Sequence, residues 1–114
     1  MERNDSMTSD WEQIQQRYRQ HASDKRFGAV AKKMLELVEA LREIYSDRNL
    51  VASVSLLTLT IGVSPAKTAF DIVWDDEQQE YRVSSIHEGV IQDLRFEPSD
   101  RIIRAVADLL DSSL

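Results

Sequence analysis

The chain of 114 residues contains no cysteine. That excludes disulfide staples, thiol nucleophiles and zinc sites built on cysteine. It also suits a reducing compartment. Glycine occurs three times, at Gly28, Gly62 and Gly89, too widely spaced for a phosphate-cradling loop. No apolar run approaches the roughly 18–20 residues needed to span a bilayer. Residues 1–10 are polar and lack the apolar core of a signal peptide. The expectation is a cytoplasmic protein with no membrane contact and no cofactor.

Basic residues are short in one half only. Through residue 50 nine acids face nine bases, and after it eleven acids face five, so the net charge of −6 lies in the C-terminal part. An acidic chain repels phosphate backbones, and no nucleic acid is expected as a partner. The local basic run Arg17, Arg19, His21, Lys25 and Arg26 does not reverse that balance.

What is present is a patterned globular chain. Apolar content of 42 % and charged content of 30 % are enough for one core and one domain. A hairpin over residues 68–87 shows its register directly: Phe70, Ile72 and Trp74 alternate with polar residues, and so do Tyr81 and Val83. Pairing Asp75 with Glu80 across a four-residue turn sets Trp74 opposite Tyr81 and Ile72 opposite Val83. One strand is expected over residues 51–62, with a bulge or two covered faces where its phase changes near Leu56 and Leu57. A tight turn at Glu88 and Gly89 leads to a strand over residues 90–96, with Val90, Leu94 and Phe96 toward the core.

Three helices complete the layout. Residues 1–9 read as a disordered tail and residues 10–114 as a single domain. Ser9 and Glu12 form a capping-box pattern ahead of a short helix carrying the seam Trp11, Ile14 and Tyr18. After a break at Ser23 and Asp24, a long helix over residues 25–46 presents Phe27, Val30, Met34, Leu37, Val38, Leu41, Ile44 and Tyr45 on one stripe. Pro98 is expected to open the last helix, with Ile102, Ile103, Val106, Leu109 and Leu110 buried. The fold class is α+β: a four-stranded antiparallel sheet with helices packed mainly on one face, in the order α-α-β-β-β-β-α. Over residues 25–112 this arrangement resembles, in layout alone, the RWD-type adaptor domains of kinetochore proteins, and no residue role follows from it.

Catalytic constellations are sparse. His87 beside Glu88, or with Asp71, is the one acid–base candidate, but adjacent strand residues diverge and no HExxH spacing follows. Asp75, Asp76, Glu77 and Glu80 form an acidic turn whose contiguous carboxylates and missing glycine differ from a metal loop. The leading expectation is therefore a small non-enzymatic protein-binding module, an adaptor, inhibitor or immunity-type protein. Its partner is another protein, of basic character, captured by the acidic turn. A two-fold homodimer is also expected, through Trp11, Ile14 and Tyr18 and through Val73, Ile86 and Ile91 on the sheet's second face. The alternatives are a small-molecule pocket between sheet and helices, and an enzyme using His87 with nearby carboxylates.

Overall fold

The computed structural model describes residues 6–45, 50–63 and 68–113. Helices α1 (Ser6–Ala22) and α2 (Gly28–Tyr45) come first. Strands β1 (Leu50–Ser55), β2 (Thr58–Val63), β3 (Thr68–Asp75), β4 (Glu80–His87) and β5 (Val90–Glu97) follow, and α3 (Ile102–Ser113) closes the chain. The sheet is antiparallel and runs β1-β2-β3-β4-β5, each strand beside its neighbour in sequence.

The sheet has five strands, not four, because the expected strand over residues 51–62 folds back on itself. Ser55 pairs with Thr58, so Leu56 and Leu57 are a two-residue turn. The change of apolar phase there is this reversal and not a bulge. Leu56 takes a left-handed backbone, with φ 56°, where glycine or asparagine is usual. The Tyr18 hydroxyl donates to the Leu57 carbonyl at 3.1 Å and fastens the turn to α1. With the fifth strand, the layout likeness to RWD-type domains lapses.

The β3–β4 hairpin has the expected register. Trp74 pairs with Tyr81, Ile72 with Val83 and Asp75 with Glu80. The Trp74 and Tyr81 rings meet edge to face with centroids 4.8 Å apart, which contributes about 0.5–1.5 kcal/mol beyond area burial. Helix α2 is pinned here: the Tyr81 hydroxyl donates to the Lys33 carbonyl at 3.0 Å, and the Lys33 ammonium lies 4.8 Å from the Trp74 ring centroid.

All three helices lie on one face of the sheet, the face carrying Ala52, Leu59, Ile61, Phe70, Ile72, Trp74, Tyr81 and Val83. Helix α1 begins at Ser6, ahead of the expected capping box, so the predicted tail is shortened; residues 1–5 lie outside the described residues. Its seam is core: Trp11 is 2 % exposed, Ile14 3 % and Tyr18 0 %. The seam packs on α2 and β1 of its own chain, which corrects its assignment as a self-association surface. The buried Gln15 accepts from Arg42, which also faces Glu12 at 3.8 Å, a polar tie between α1 and α2.

Between these helices the Asp24 carboxylate accepts the backbone N–H groups of Arg26 at 2.7 Å and Phe27 at 3.2 Å. These bonds favour its charged form and hold its pKa below the usual value. A Cβ on Gly28 would stand 2.8 Å from the Ala22 carbonyl oxygen, so the close turn requires glycine. Phe27 and Ile44, expected on the buried stripe, stand exposed, Phe27 just before α2 and Ile44 near its end. Pro98 opens a turn, closed by Arg101 N–H to the Pro98 carbonyl at 3.0 Å, and α3 begins only at Ile102.

Candidate functional site

Among the described residues no helix covers the sheet's second face, and the register says what stands on it. Directly opposed residues of antiparallel strands share a face. One row across this open face is Ser55, Thr58, Val73, Arg82 and Phe96. The next is Ser53, Thr60, Asp71, Ser84 and Leu94. A third is Gly62, Ala69, Ile86 and Ile91. The β1–β2 side is thus lined with hydroxyls and the β5 side is apolar.

The apolar β5 column is made by one extra residue. Ile86 pairs with Ile91, but Ser85 pairs with Asp93, which leaves Gln92 as a bulge. Because side chains alternate faces, one inserted residue inverts the phase of everything after it. Leu94 and Phe96, expected toward the helices, therefore stand on the open face, while Asp93, Arg95 and Glu97 share the helix face. Val90, also expected inward, is exposed beside the turn. Ile91 is 66 % exposed, Leu94 53 % and Phe96 47 %. Contiguous exposed apolar side chains of this size mark contact surfaces more often than bare solvent faces.

The acidic turn joins this face at one end. Asp75 and Glu80 share the parity of Val73 and Arg82, so their carboxylates adjoin the apolar column's Phe96 row. Two of the four carboxylates also hold the turn. The Asp75 carboxylate accepts the N–H groups of Glu77 at 3.0 Å and Gln78 at 3.1 Å. The Asp76 carboxylate accepts the indole N–H of the buried Trp74 at 3.1 Å and the Gln79 amide at 3.2 Å. Asp75 and Asp76 are thus turn fasteners as well as surface charges. Asp71 accepts the Thr60 hydroxyl at 2.7 Å in mid-face.

The structure gathers Val73, Ile86 and Ile91 with Asp75 and Glu80 on one face, and it places Trp11, Ile14 and Tyr18 in the core beneath the other. Sequence reasoning missed Leu94 and Phe96 as members of this face. The available signal was that a bulge-free β5 would point Arg95 and Asp93 outward but Leu94 and Phe96 under helices already well supplied with apolar surface.

The acid–base candidates do not meet in a cleft. His87 Nε2 lies 3.7 Å from Glu88 Oε1 at an exposed turn, where Glu88 and Gly89 both have positive φ. Asp71 lies in the row of Ser84, not beside His87. Among the described residues no group of three or more metal-ligating side chains gathers. A cleft of about 510 Å³ opens between β5 and α3 and is lined by Arg95, Arg101 and Arg104 with Glu97, Asp100 and Asp108. Ligand pockets are lined mainly by apolar groups, and this cleft is charged and open. No described helix is long and apolar enough to cross a membrane. No family model matches the chain, and no curated protein or solved structure matches it either.

Proposed function

We propose that this chain is a protein-binding module whose docking surface is the open sheet face. The observation that carries the reading is the exposed column Ile91, Leu94 and Phe96, flanked by Val73 and Ile86, on a face with no helix over it. Apolar side chains at the centre supply the desolvation energy of an interface, and polar neighbours supply its rim. The acidic end formed by Asp75, Asp76, Glu77 and Glu80 selects a partner whose apolar contact is bordered by lysine or arginine. An adaptor, inhibitor or immunity-type role fits this arrangement.

The test uses Val73→Ser and Ile86→Ser, on the two strands inside the edge. A partner identified with the natural chain should bind each variant about tenfold more weakly. The triple change Asp75→Asn, Asp76→Asn, Glu77→Gln keeps the oxygen acceptors of the turn. It should slow association at low salt and leave dissociation little changed. An affinity indifferent to both apolar substitutions, in chains with an unchanged circular dichroism spectrum, would remove this face from the reading. A partner of acidic surface would remove the turn from it.

A further inference from the structure

We infer that β5 pairs with the β5 strand of a second copy of this chain, antiparallel about a two-fold axis at Leu94, making one continuous sheet of ten strands. Among the described residues β5 ends the sheet, with β4 its only strand neighbour, and Val90 through Phe96 are all exposed. An edge strand of eight residues presents a row of backbone groups ready to pair with another chain. Natural edges are usually guarded by charges, proline or a bulge. Here the bulge sits at Gln92, near the start, and leaves residues 93–97 regular. The two charges at mid-strand, Asp93 and Arg95, are of opposite sign and bridge each other at 2.9 Å.

The order of these residues favours one register. If both copies are to keep their helices on the same side, a residue on the axis must face its own copy. Centring on Leu94 sets Asp93 against the other copy's Arg95 on the helix face, twice. Centring on Asp93 or on Arg95 would oppose like charges, which destabilises a strand pair. Centring on Phe96 would drive Leu94 against Pro98, which has no N–H to donate. Of these registers, the one centred on Leu94 keeps Pro98 out of the regular pairing and is charge-complementary to itself across residues 93–95, with the Gln92 bulge of each copy at the ends of the seam.

The same register brings the two exposed apolar columns together at Leu94. The seam is electrically balanced although each chain carries a net charge of −6. This goes beyond the docking of a foreign partner, because it uses the backbone edge and joins two open faces into one. A single strand pair with flanking side chains lies at the low end of interface area, so the dissociation constant should be on the order of micromolar.

Sedimentation analysis of the full chain from micromolar to millimolar concentration tests the inference. The natural chain should pass from monomer to dimer. Asp93→Arg and Arg95→Asp should each weaken dimerisation by roughly tenfold or more. Mixed together, these two single variants should form a heterodimer, because each supplies the charges the other needs. Carrying both changes in one chain should restore the homodimer. The mere intrachain Asp93–Arg95 bridge predicts no recovery on mixing, and that result would overturn the inference. So would a natural chain that stays monomeric at millimolar concentration, or a dimer indifferent to both single changes. Should a single variant fail to fold, concentration-dependent protection of β5 amides from hydrogen exchange in the natural chain decides the same question. Val73 and Ile86 do not lie on β5, so the docking reading stands or falls by its own variants.

Discussion

Replacing Ile14 by alanine tests whether α1 belongs to the folded unit. Ile14 is 3 % exposed and borders a small surface cleft with Ala52 and Val54 of β1, and its neighbours on the same seam, Trp11 and Tyr18, are buried with it. Removing a buried isoleucine down to alanine costs about 2–5 kcal/mol through lost transfer energy and the cavity left behind. Ile14 is nearly buried where α1 meets β1, so a loss of about 3 kcal/mol is expected. Against a total stability of about 5–15 kcal/mol this is a large fraction. Urea denaturation followed by circular dichroism measures it. The Arg95→Asp background removes any contribution of β5 pairing to the midpoint. A core role predicts the same downward shift of the midpoint at low and high protein concentration. A loss below about 0.5 kcal/mol, the size expected of a surface change, would refute the placement of α1 in the core. A shift that appears only at high concentration would return the seam to an intermolecular role.

Three further outcomes follow from single groups. Leu56→Gly should stabilise the chain by about 1 kcal/mol in thermal melts, since Leu56 is 82 % exposed and its left-handed backbone costs a side chain roughly 1–2 kcal/mol. Asp76→Ala should shift tryptophan emission and cost about 1–2 kcal/mol, because the buried Trp74 indole N–H loses its acceptor; unchanged emission and stability would dismiss the bond. Alkaline titration should find tyrosines that ionise late: burial first, then the nearby Glu36, push Tyr81 up to about 12, and burial raises Tyr18 as well. An unfolded tyrosine ionises at about 10, so this stability is whole below pH about 10 and is lost as pH climbs toward about 12. Early ionisation with the fold intact would contradict the burial of both phenols.

The hairpin from Phe70 to Val83 was legible because two periodicities agreed: alternation along each strand and complementary pairs across the turn. The stripes of α2 and α3 were legible for the same reason, with Met34, Leu37, Val38 and Leu41 buried as their spacing implied. Leu56–Leu57 was not legible as a turn, because a leucine forced into a left-handed conformation carries no turn signal. Its stabilisation comes from Tyr18, thirty-nine positions away, through a bond no local pattern reveals. The phase of β5 was hidden for a related reason. A bulge is set by pairing geometry, and Gln92 looks like any polar strand residue. One unseen residue therefore turned two apolar side chains from expected core into candidate interface. The acidic turn was seen, but its hydrogen bonds to Glu77, Gln78 and Trp74 were not, since charge density alone does not tell a fastening carboxylate from a free one.

The strictly sequential strand order also sets a timetable for synthesis. Each strand needs only the one before it, so hairpins close on a scale of about 1–10 μs as they emerge, far faster than the ribosome adds residues at about 5–20 per second. Helices α1 and α2 leave the ribosome before the sheet, with the Arg42 tie to Gln15 and Glu12 available to them and their apolar surfaces still waiting for it. Strand β5 is the last to join, after the hairpin beneath α2 has formed. The exposed β5 edge is thus the newest part of the sheet, and it becomes available only when the four strands before it have been made.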